Sequence, residues 1–276
     1  MGKNGWLRMD RALAARAEAA NASFYAAFWG GLAPDPALGL VPATAVIEGT
    51  ACARGTAQGF TYHNCAVGFG LQAPATAAAL AGIREFMAPC QDWCLELCPY
   101  AADLEVVLAL LSAAGFRAWR PGQVLLARPD DVPPPQARPG VSVELVAPAA
   151  AEAYARVSFA GFETDARFRE AWFRGARNLI GKDGCYNYLA RVEGVPAAFG
   201  LLIVHQGTGY LGGAATLPEF RRRGLQSLLI RLRAEAARRA GCDLLSVGTG
   251  MGTQSQFNLE AHGFRVVYSK TLWRPA

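Results

Sequence analysis

The stretch TLPEFRRRGLQ, residues 216–226, follows an apolar strand-like run at 210–215 and opens an amphipathic helix. The first backbone N–H groups of a helix lack internal partners, and the helix dipole places partial positive charge at that end. The arginines at 221–223 add charge, and Gly224 lets a ligand approach the backbone closely because it has no Cβ. The stretch therefore predicts a site that binds a phosphate group.

Two common phosphate motifs do not fit this loop. The ATP-type loop requires G-x-x-x-x-G-K-[ST], and no lysine and hydroxyl pair follows Gly224 in that pattern. A dinucleotide fold requires G-x-G-x-x-G and an acidic residue about 20 positions later, which also does not fit. The pattern that fits is R-x-x-G-x-[GA] after a strand, which Arg221 and Gly224 match and from which Gln226 departs.

A second motif, SQFNLEAHGF at 255–264, follows a strand-like run at 243–247 and a loop at 248–252. Together the two motifs resemble the GNAT superfamily of acyl-CoA N-acyltransferases. In that family the first motif is a pyrophosphate loop, and the second is a short helix beside the coenzyme that leads into the last two strands. The residues that stand at the family's places in the second motif are Ser255, Asn258, Gly263 and Phe264.

The resemblance implies an α/β (α+β) fold with a mixed, mostly antiparallel sheet flanked by helices. Hydrophobic periodicity in the second half predicts a strand, two helices, three strands, a helix, a strand, a helix and two strands. This is the order of elements in the GNAT fold.

The first half of the chain resembles a diverged copy of the second. LSAAGFRAW at 111–119 aligns with LEAHGFRVV at 259–267, and a buried strand is predicted around Leu95, at the matching distance. A strand over 63–71 is followed by QAPAT and a helix from Thr76, and this connection has no arginine. We therefore expect two tandem GNAT-like domains, of which the first has lost the coenzyme loop.

The domain boundaries are predicted from the segment PDDVPPPQARPG, which has five prolines in twelve positions. Such a segment forms neither a regular helix nor a central strand and is typical of a semi-rigid linker. The predicted organisation is a degenerate GNAT-like domain at 1–128, a linker at 129–140 and an acetyltransferase domain at 141–276.

Composition indicates a globular protein, because 52% of the 276 residues are hydrophobic and 18% are charged. No run reaches the roughly 18 apolar residues of a membrane span, and no signal-peptide pattern is found, which predicts a cytoplasmic protein with no membrane partner. The seven cysteines lack C-x-x-C pairs, so no metal site or disulfide framework is expected.

The net charge of +5 raises nucleic acid as an alternative partner. No stacking aromatics interleave with the basic residues of the helix after Gly224, so no nucleic-acid partner is expected. An apolar face on this helix is predicted at Leu225, Leu228, Leu229, Leu232 and Ala236. That face would leave solvated the arginines Arg231, Arg233, Arg238 and Arg239.

The resemblance implies acetyl-CoA as the acyl donor. Backbone N–H groups would bind its pyrophosphate, the end of the preceding strand would pair with its pantetheine arm, and an asparagine would hydrogen-bond that arm. The residues implied in coenzyme binding are Ala215, Thr216, Leu217, Arg221, Arg222, Arg223, Gly224, Leu225, Gln226, Ser227 and Asn258.

The sequence identifies the catalytic groups less clearly than the coenzyme site. Leu259 stands where many family members carry a tyrosine that acts as the catalytic acid. Ser255 and Tyr268 are candidate acids; alternatively, Ser255 caps a short helix and Tyr268 packs in a strand. Glu163 is a candidate base, with a solvated loop charge as its alternative.

The implied function is transfer of an acetyl group to an amine by direct attack in a ternary complex. The acceptor would be a small-molecule or peptide amine, and the protein a monomer with an internal pseudo-dimer or a homodimer. The alternatives are a non-catalytic acyl-CoA-binding or sensing protein, motivated by Leu259, and a nucleic-acid-binding module.

Overall fold

A computed structural model of the chain describes residues 8–58 and 63–276. The helices in these ranges are α1 (Arg11–Trp29), α2 (Ala77–Met87), α3 (Leu104–Ala113), α4 (Ala151–Gly161), α5 (Arg169–Asn178), α6 (Leu225–Arg239) and α7 (Gln254–Glu260). The strands are β1 (Leu40–Ile47), β2 (Thr50–Thr56), β3 (Cys65–Val67), β4 (Cys94–Leu97), β5 (Phe116–Ala127), β6 (Val141–Leu145), β7 (Cys185–Val192), β8 (Val195–His205), β9 (Thr208–Thr216), β10 (Leu244–Thr249) and β11 (Arg265–Pro275).

All of these strands lie in one sheet, in the order β1-β2-β3-β4-β11-β5-β10-β9-β8-β7-β6. Each neighbouring pair is antiparallel except β3 with β4 and β9 with β10, which are parallel. The predicted mixed, mostly antiparallel sheet flanked by helices is therefore confirmed. The two parallel pairs lie at equivalent places on either side of the central β11–β5 pair, as expected for an internal repeat.

The end of the chain differs from the prediction of two final strands. In residues 261–276, all of which the structure describes, only β11 follows α7. The place beside β10 is taken by β5 from the first half, with Thr249 paired to Gln123, while β11 reaches β4, with Thr271 paired to Leu97. The two halves thus exchange their last strands.

The first-half strands fit the prediction in place but not always in length. The segment CLEL forms β4, and all of its residues are buried, because the strand is central and covered on both faces. The strand predicted over 63–71 is only β3. Gly68 and Gly70, with φ of +90° and +73°, turn the backbone into the left-handed region and end the strand.

The helices cover both faces of the sheet. Alternate residues of a strand point to opposite faces, so Cys65 packs with α1 while Ala66 packs with α2 and α3. Helix α1, capped by Asp10, lies on the same face as α4 and α5 and contacts strands of both halves. The described helices include none that is long and apolar enough to cross a membrane.

The proline-rich segment at 129–140 runs along α6 instead of standing clear of the fold. Val132 packs in the same apolar cluster as Ile230, and the Arg231 Nη1 donates to the carbonyl of Pro134 at 3.3 Å. The segment leads from the central strand β5 to the edge strand β6. Its residues therefore pack along α6, and Arg138 lies beside Gly224 at the start of that helix.

Candidate functional site

The loop before α6 holds a set of open backbone donors. Arg222 and Gly224 adopt left-handed φ of +64° and +74°, which turns successive N–H groups toward one side. Helix α6 begins at Leu225 without a capping side chain, and its first hydrogen bond runs from Leu228 N to Gly224 O at 3.1 Å. The N–H groups of residues 225–227 therefore have no partner within the helix and can bind an anion.

Several arginines surround these donors. Arg221 donates to the carbonyl of Thr216 at 3.3 Å and pairs with Glu163 at 3.4 Å. Arg223 instead lies over the ring of Phe220, 5.6 Å from its centroid. A further arginine, Arg138, comes from the proline-rich segment, and its guanidinium fills the space where a Gly224 side chain would stand. Nothing in the local sequence around Arg138 indicates this placement.

The strands beside the loop separate from each other. β9 and β10 pair only as far as Tyr210 with Ser246, yet β9 continues to Thr216. The N–H of Leu217 donates to the carbonyl of Ala197 at 2.9 Å, so the alternation of the antiparallel ladder turns Ala215 toward β8 as well. Thr216, together with Ala214, faces the gap and has its backbone groups on the open side.

The departure from the family pattern at Gln226 has a structural reason. Its Nε2 donates to the Thr216 Oγ1 at 3.0 Å, which ties the first turn of α6 to the end of β9. The larger side chain thus joins the two elements that border the loop.

The prediction of a solvated Arg233 is wrong, since only 2% of the residue is exposed. β9 carries a bulge opposite Leu201, and the Arg233 Nη1 donates to the carbonyls of Leu201 and Gly212 at 3.2 and 3.4 Å. Burial lowers the pKa of Arg233 to about 10, so it stays charged at neutral pH. The buried stripe of α6 includes position 233, whereas Leu232 is partly exposed.

A cavity of about 1310 Å³ begins at the loop and extends between the two halves. Pockets for one small ligand are usually about 300–1,000 Å³, so this volume can hold a coenzyme arm and an acceptor together. Leu217 and Arg223 lie outside its wall. The predicted binding residues that line it are Ala215, Thr216, Arg221, Arg222, Gly224, Leu225, Gln226, Ser227 and Asn258.

The three candidate catalytic residues lie in different places. Ser255 lines the cavity, and the cap of α7 is Thr253 rather than Ser255, with the Thr253 hydroxyl accepting from Gln256 N at 3.3 Å. Glu163 is exposed and paired with Arg221. The Tyr268 hydroxyl donates to Glu18 at 2.8 Å, away from the cavity wall.

The partner of Tyr268 belongs to a buried ionic cluster. The Lys270 ammonium contacts the carboxylates of Glu18 and Glu96, and Tyr25 donates to Glu96 at 2.7 Å. Burial acts to raise the pKa of Glu96, but Lys270 outweighs it and holds that pKa below its usual range. Burial opposes the charge of Lys270, and the two carboxylates nevertheless raise its pKa. Glu96 and Lys270 therefore stay ionised, and the cluster joins α1, β4 and β11.

Two tyrosines missed by the sequence analysis line the cavity near the separated strands. The Tyr210 hydroxyl lies 3.6 Å from the position that a Cβ would take at Gly248. Tyr154 is almost fully buried, and burial raises the pKa of both phenols, so both keep their protons. Within the described residues, no three or more His, Cys, Asp or Glu side chains are arranged to hold a metal ion.

Comparisons with known proteins identify the family of this site. Residues 148–264 match the model of the acetyltransferase (GNAT) family. A GCN5-related N-acetyltransferase from Kribbella flavida has a similar fold, with 19% identity, 97% of this chain and 96% of that chain covered, and a TM-score of 0.67. A tandem GNAT protein from the clavulanic acid biosynthesis pathway matches at 18% identity over 82% of this chain and 78% of its own, with a TM-score of 0.56.

A third similar structure is a GCN5-related N-acetyltransferase from Sphaerobacter thermophilus, at 18% identity over 71% of this chain and 65% of that chain, with a TM-score of 0.53. No curated protein matches at a significant level. At these identities the structures establish the fold, and the family model establishes the domain. Residues 148–264 therefore form a GNAT acetyltransferase domain, within a chain that has the fold of tandem GNAT proteins.

Proposed function

We propose that the protein transfers an acetyl group from acetyl-CoA to an amine by direct attack in a ternary complex. The observation that carries the proposal is the uncapped start of α6, where N–H groups and arginines open onto the gap between β9 and β10. A pyrophosphate fits such a set of donors. The gap continues into a cavity with room for an acceptor.

The backbone would hold the donor. The N–H groups of residues 225–227 would bind the pyrophosphate, and the open edge of β9 at Thr216 would pair with the pantetheine arm as an added strand does. Asn258 lines the same cavity and would hydrogen-bond that arm. Arg233 would keep the bulge, and thus the separation of β9 from β10, in place.

Tyrosine hydroxyls would assist the chemistry. As the amine nitrogen bonds to the thioester carbon, negative charge develops on the carbonyl oxygen and then on the departing sulfur. A phenol that keeps its proton can donate a hydrogen bond to either atom, and Tyr210 lies where the strands separate. Tyr210→Phe is expected to lower kcat roughly 100-fold with little change in the KM for acetyl-CoA. An unchanged kcat would remove Tyr210 from the mechanism.

Two glycines at opposite ends of α6 allow a matched test. Gly224 and Gly241 have similar left-handed φ of +74° and +77°, so a side chain strains the backbone alike at both positions. At Gly224 the new side chain also displaces the Arg138 guanidinium, whereas at Gly241 it enters open space. In Gly224→Asp the new carboxylate would occupy the helix start and repel a phosphate, whereas Gly241→Asp adds the same charge at the far end. We expect Gly224→Asp to weaken CoA binding roughly 10- to 100-fold and Gly241→Asp to leave it unchanged.

Turnover is measured on the same proteins as release of free CoA from acetyl-CoA with a panel of primary amines. Amine-dependent release that Gly224→Asp suppresses and Gly241→Asp does not is the expected result. Tight CoA binding without turnover for any amine would contradict the transferase and favour an acyl-CoA sensor.

A further inference from the structure

A row of aromatic rings leads from the separated strands to the first half of the chain. Each ring lines the cavity and contacts the next, with centroid distances of 5.5 Å for Phe162–Trp172, 6.0 Å for Trp172–Phe28, 5.7 Å for Phe28–Phe24 and 6.5 Å for Phe24–Tyr210. The row begins at Gly213 of β9, where a Cβ would stand 3.3 Å from the Phe162 ring. We call this row the aromatic wall. Two of its rings, Phe24 and Phe28, belong to α1.

The aromatic wall carries little charge. Among the described residues that line the cavity, the one carboxylate is Asp165, and it is paired with Arg167 at 3.2 Å. His63 packs on Phe28 and Trp172, and burial lowers its pKa to about 3, so its ring is neutral at physiological pH. The carboxylate of Glu96, behind Tyr25, is already bound by Lys270 and Asn21.

We propose that the acceptor is a primary amine carried on a single planar, apolar group, such as an arylalkylamine, with its ring against the aromatic wall and its nitrogen beside Gly213. This inference rests on the proposed acetyl transfer. Offset or edge-to-face ring contacts and the removal of apolar surface from water favour such a group. A polyamine or a basic peptide would bring several positive charges to the cavity. The one carboxylate among its described lining residues, Asp165, is already paired with Arg167, so these charges would find no free partner there.

The aromatic wall also fits an acceptor better than the chain of a long acyl donor. The Tyr154 and Tyr210 hydroxyls line the cavity and make no hydrogen bond within the described part of the protein. A saturated acyl chain would bury both hydroxyls without partners, which is unfavourable. An amine offers N–H groups and a lone pair that can pair with them.

The first experiment compares acceptors on the full chain with acetyl-CoA, measuring released CoA. We expect kcat/KM for 2-phenylethylamine to exceed that for ethylamine by roughly 30- to 100-fold, because the ring is buried in the complex. Spermidine and a lysine-containing peptide should be poorer acceptors than 2-phenylethylamine. Equal or better use of spermidine or the peptide would overturn the inference while leaving the acetyl transfer intact.

Two exposed phenylalanines allow a matched pair of variants. Phe162 begins the aromatic wall and is 45% exposed, while Phe257 on α7 is 53% exposed and lies outside the cavity wall. Phe162→Ala should raise the KM for 2-phenylethylamine between about twofold and tenfold without changing the KM for acetyl-CoA. Phe257→Ala should change neither, and a Phe162→Ala enzyme with unchanged KM for the aryl amine would contradict the inference.

A binding measurement separates the inference from the proposed function. In the presence of CoA, 2-phenylethylamine should raise the melting temperature of the protein and of Phe257→Ala, and raise that of Phe162→Ala less. This result without turnover would support the aromatic site and reject the transferase. Faster turnover of octanoyl-CoA than of acetyl-CoA, lost in Phe162→Ala, would assign the aromatic wall to the acyl chain and overturn the inference.

Discussion

The two halves of the sheet begin their equivalent helices differently. In the first half, the Thr76 hydroxyl accepts from Ala79 N at 3.0 Å and caps α2. In the second half, Gly224 precedes α6 and no side chain caps the helix. The same place in the fold is therefore closed in one half and open to an anion in the other. A single capping residue and the loop before it therefore decide whether a side chain satisfies the N–H groups at the helix start or leaves them open.

The strands before these helices differ in the same sense. β2 and β3 pair without a bulge, and β3 ends with its last pair to β4 at Val67. β9 instead carries a bulge held by Arg233 and runs on beyond its last pair with β10. The first half thus keeps the strand pairing of the fold but lacks a gap like that between β9 and β10. Its helix α1 contributes residues to the wall of the cavity.

The buried cluster that joins the halves gives the largest expected effect. Lys270→Met would leave the carboxylates of Glu18 and Glu96 buried without their cation, and we expect the free energy of unfolding to fall by about 3–5 kcal/mol. Urea unfolding measures this change. The exposed pair of Arg16 with Asp243 also joins α1 to the second half, so Arg16→Met is the control, with an expected change below about 1 kcal/mol.

The cluster has a second check. Replacing Glu18 and Glu96 by glutamine in the Lys270→Met background removes the uncompensated charge and should restore part of the stability. A Lys270→Met protein as stable as the parent would show that the exchanged strand β11 is held by its backbone pairing alone.

The bulge in β9, which the equivalent strand of the first half lacks, gives the next largest expected effect. Arg233→Leu leaves the carbonyls of Leu201 and Gly212 without this donor, and we expect a loss of about 2 kcal/mol in the free energy of unfolding. The KM for acetyl-CoA should rise as well, because the gap between β9 and β10 depends on the bulge. If Arg233→Leu is destabilised but its KM for acetyl-CoA is unchanged, binding of the acyl donor does not depend on the bulge.

His63 connects the halves through its contacts with Phe28 and Trp172, and its effect depends on pH. Its pKa falls from 6.5 to about 3 on burial, so between these values the unfolded chain binds a proton that the folded protein does not. The contribution of His63 to the free energy of unfolding is therefore fully present above pH 6.5. It decreases as the pH falls below this value, by up to about 1.4 kcal/mol per pH unit. Urea unfolding between pH 7 and 4.5 measures how steeply the free energy of unfolding falls with decreasing pH. This fall should be less steep in His63→Asn than in the parent, and equal steepness would contradict a buried neutral histidine.

The cap of α2 gives the smallest expected effect. Thr76→Ala removes the hydroxyl that binds Ala79 N, and the free energy of unfolding should fall by about 1 kcal/mol. CoA binding should not change, since the loop before α2 has no arginine. Altered CoA affinity in Thr76→Ala would mean that the first half takes part in donor binding.

The sequence is sufficient to predict the loop and the order of most elements, because these depend on nearby residues. Residues 216–227 form one loop and one helix start, and the backbone donors of that site lie within them. The exchange of β5 and β11 depends instead on partners far apart in the chain. Since LSAAGFRAW and LEAHGFRVV are so alike, either strand suits either place, and local pattern cannot choose between them.

The parts of the site that sequence reasoning misses share a physical origin. The charge of Arg233 predicts a solvated position. Its partners are backbone carbonyls of β8 and β9, which only the tertiary fold brings near. Arg138 lies in a proline-rich segment without a motif. Phe24 and Phe28 stand on an alanine-rich helix and have the pattern of ordinary core residues; the fold alone places them at the cavity.

The most direct measurement of the difference between the halves is a calorimetric titration of the full chain with CoA. One binding site per chain is expected, weakened in Gly224→Asp and unchanged in Thr76→Ala. Two sites per chain, or one site that Gly224→Asp leaves intact, would contradict the assignment of the coenzyme to the open helix start of the second half.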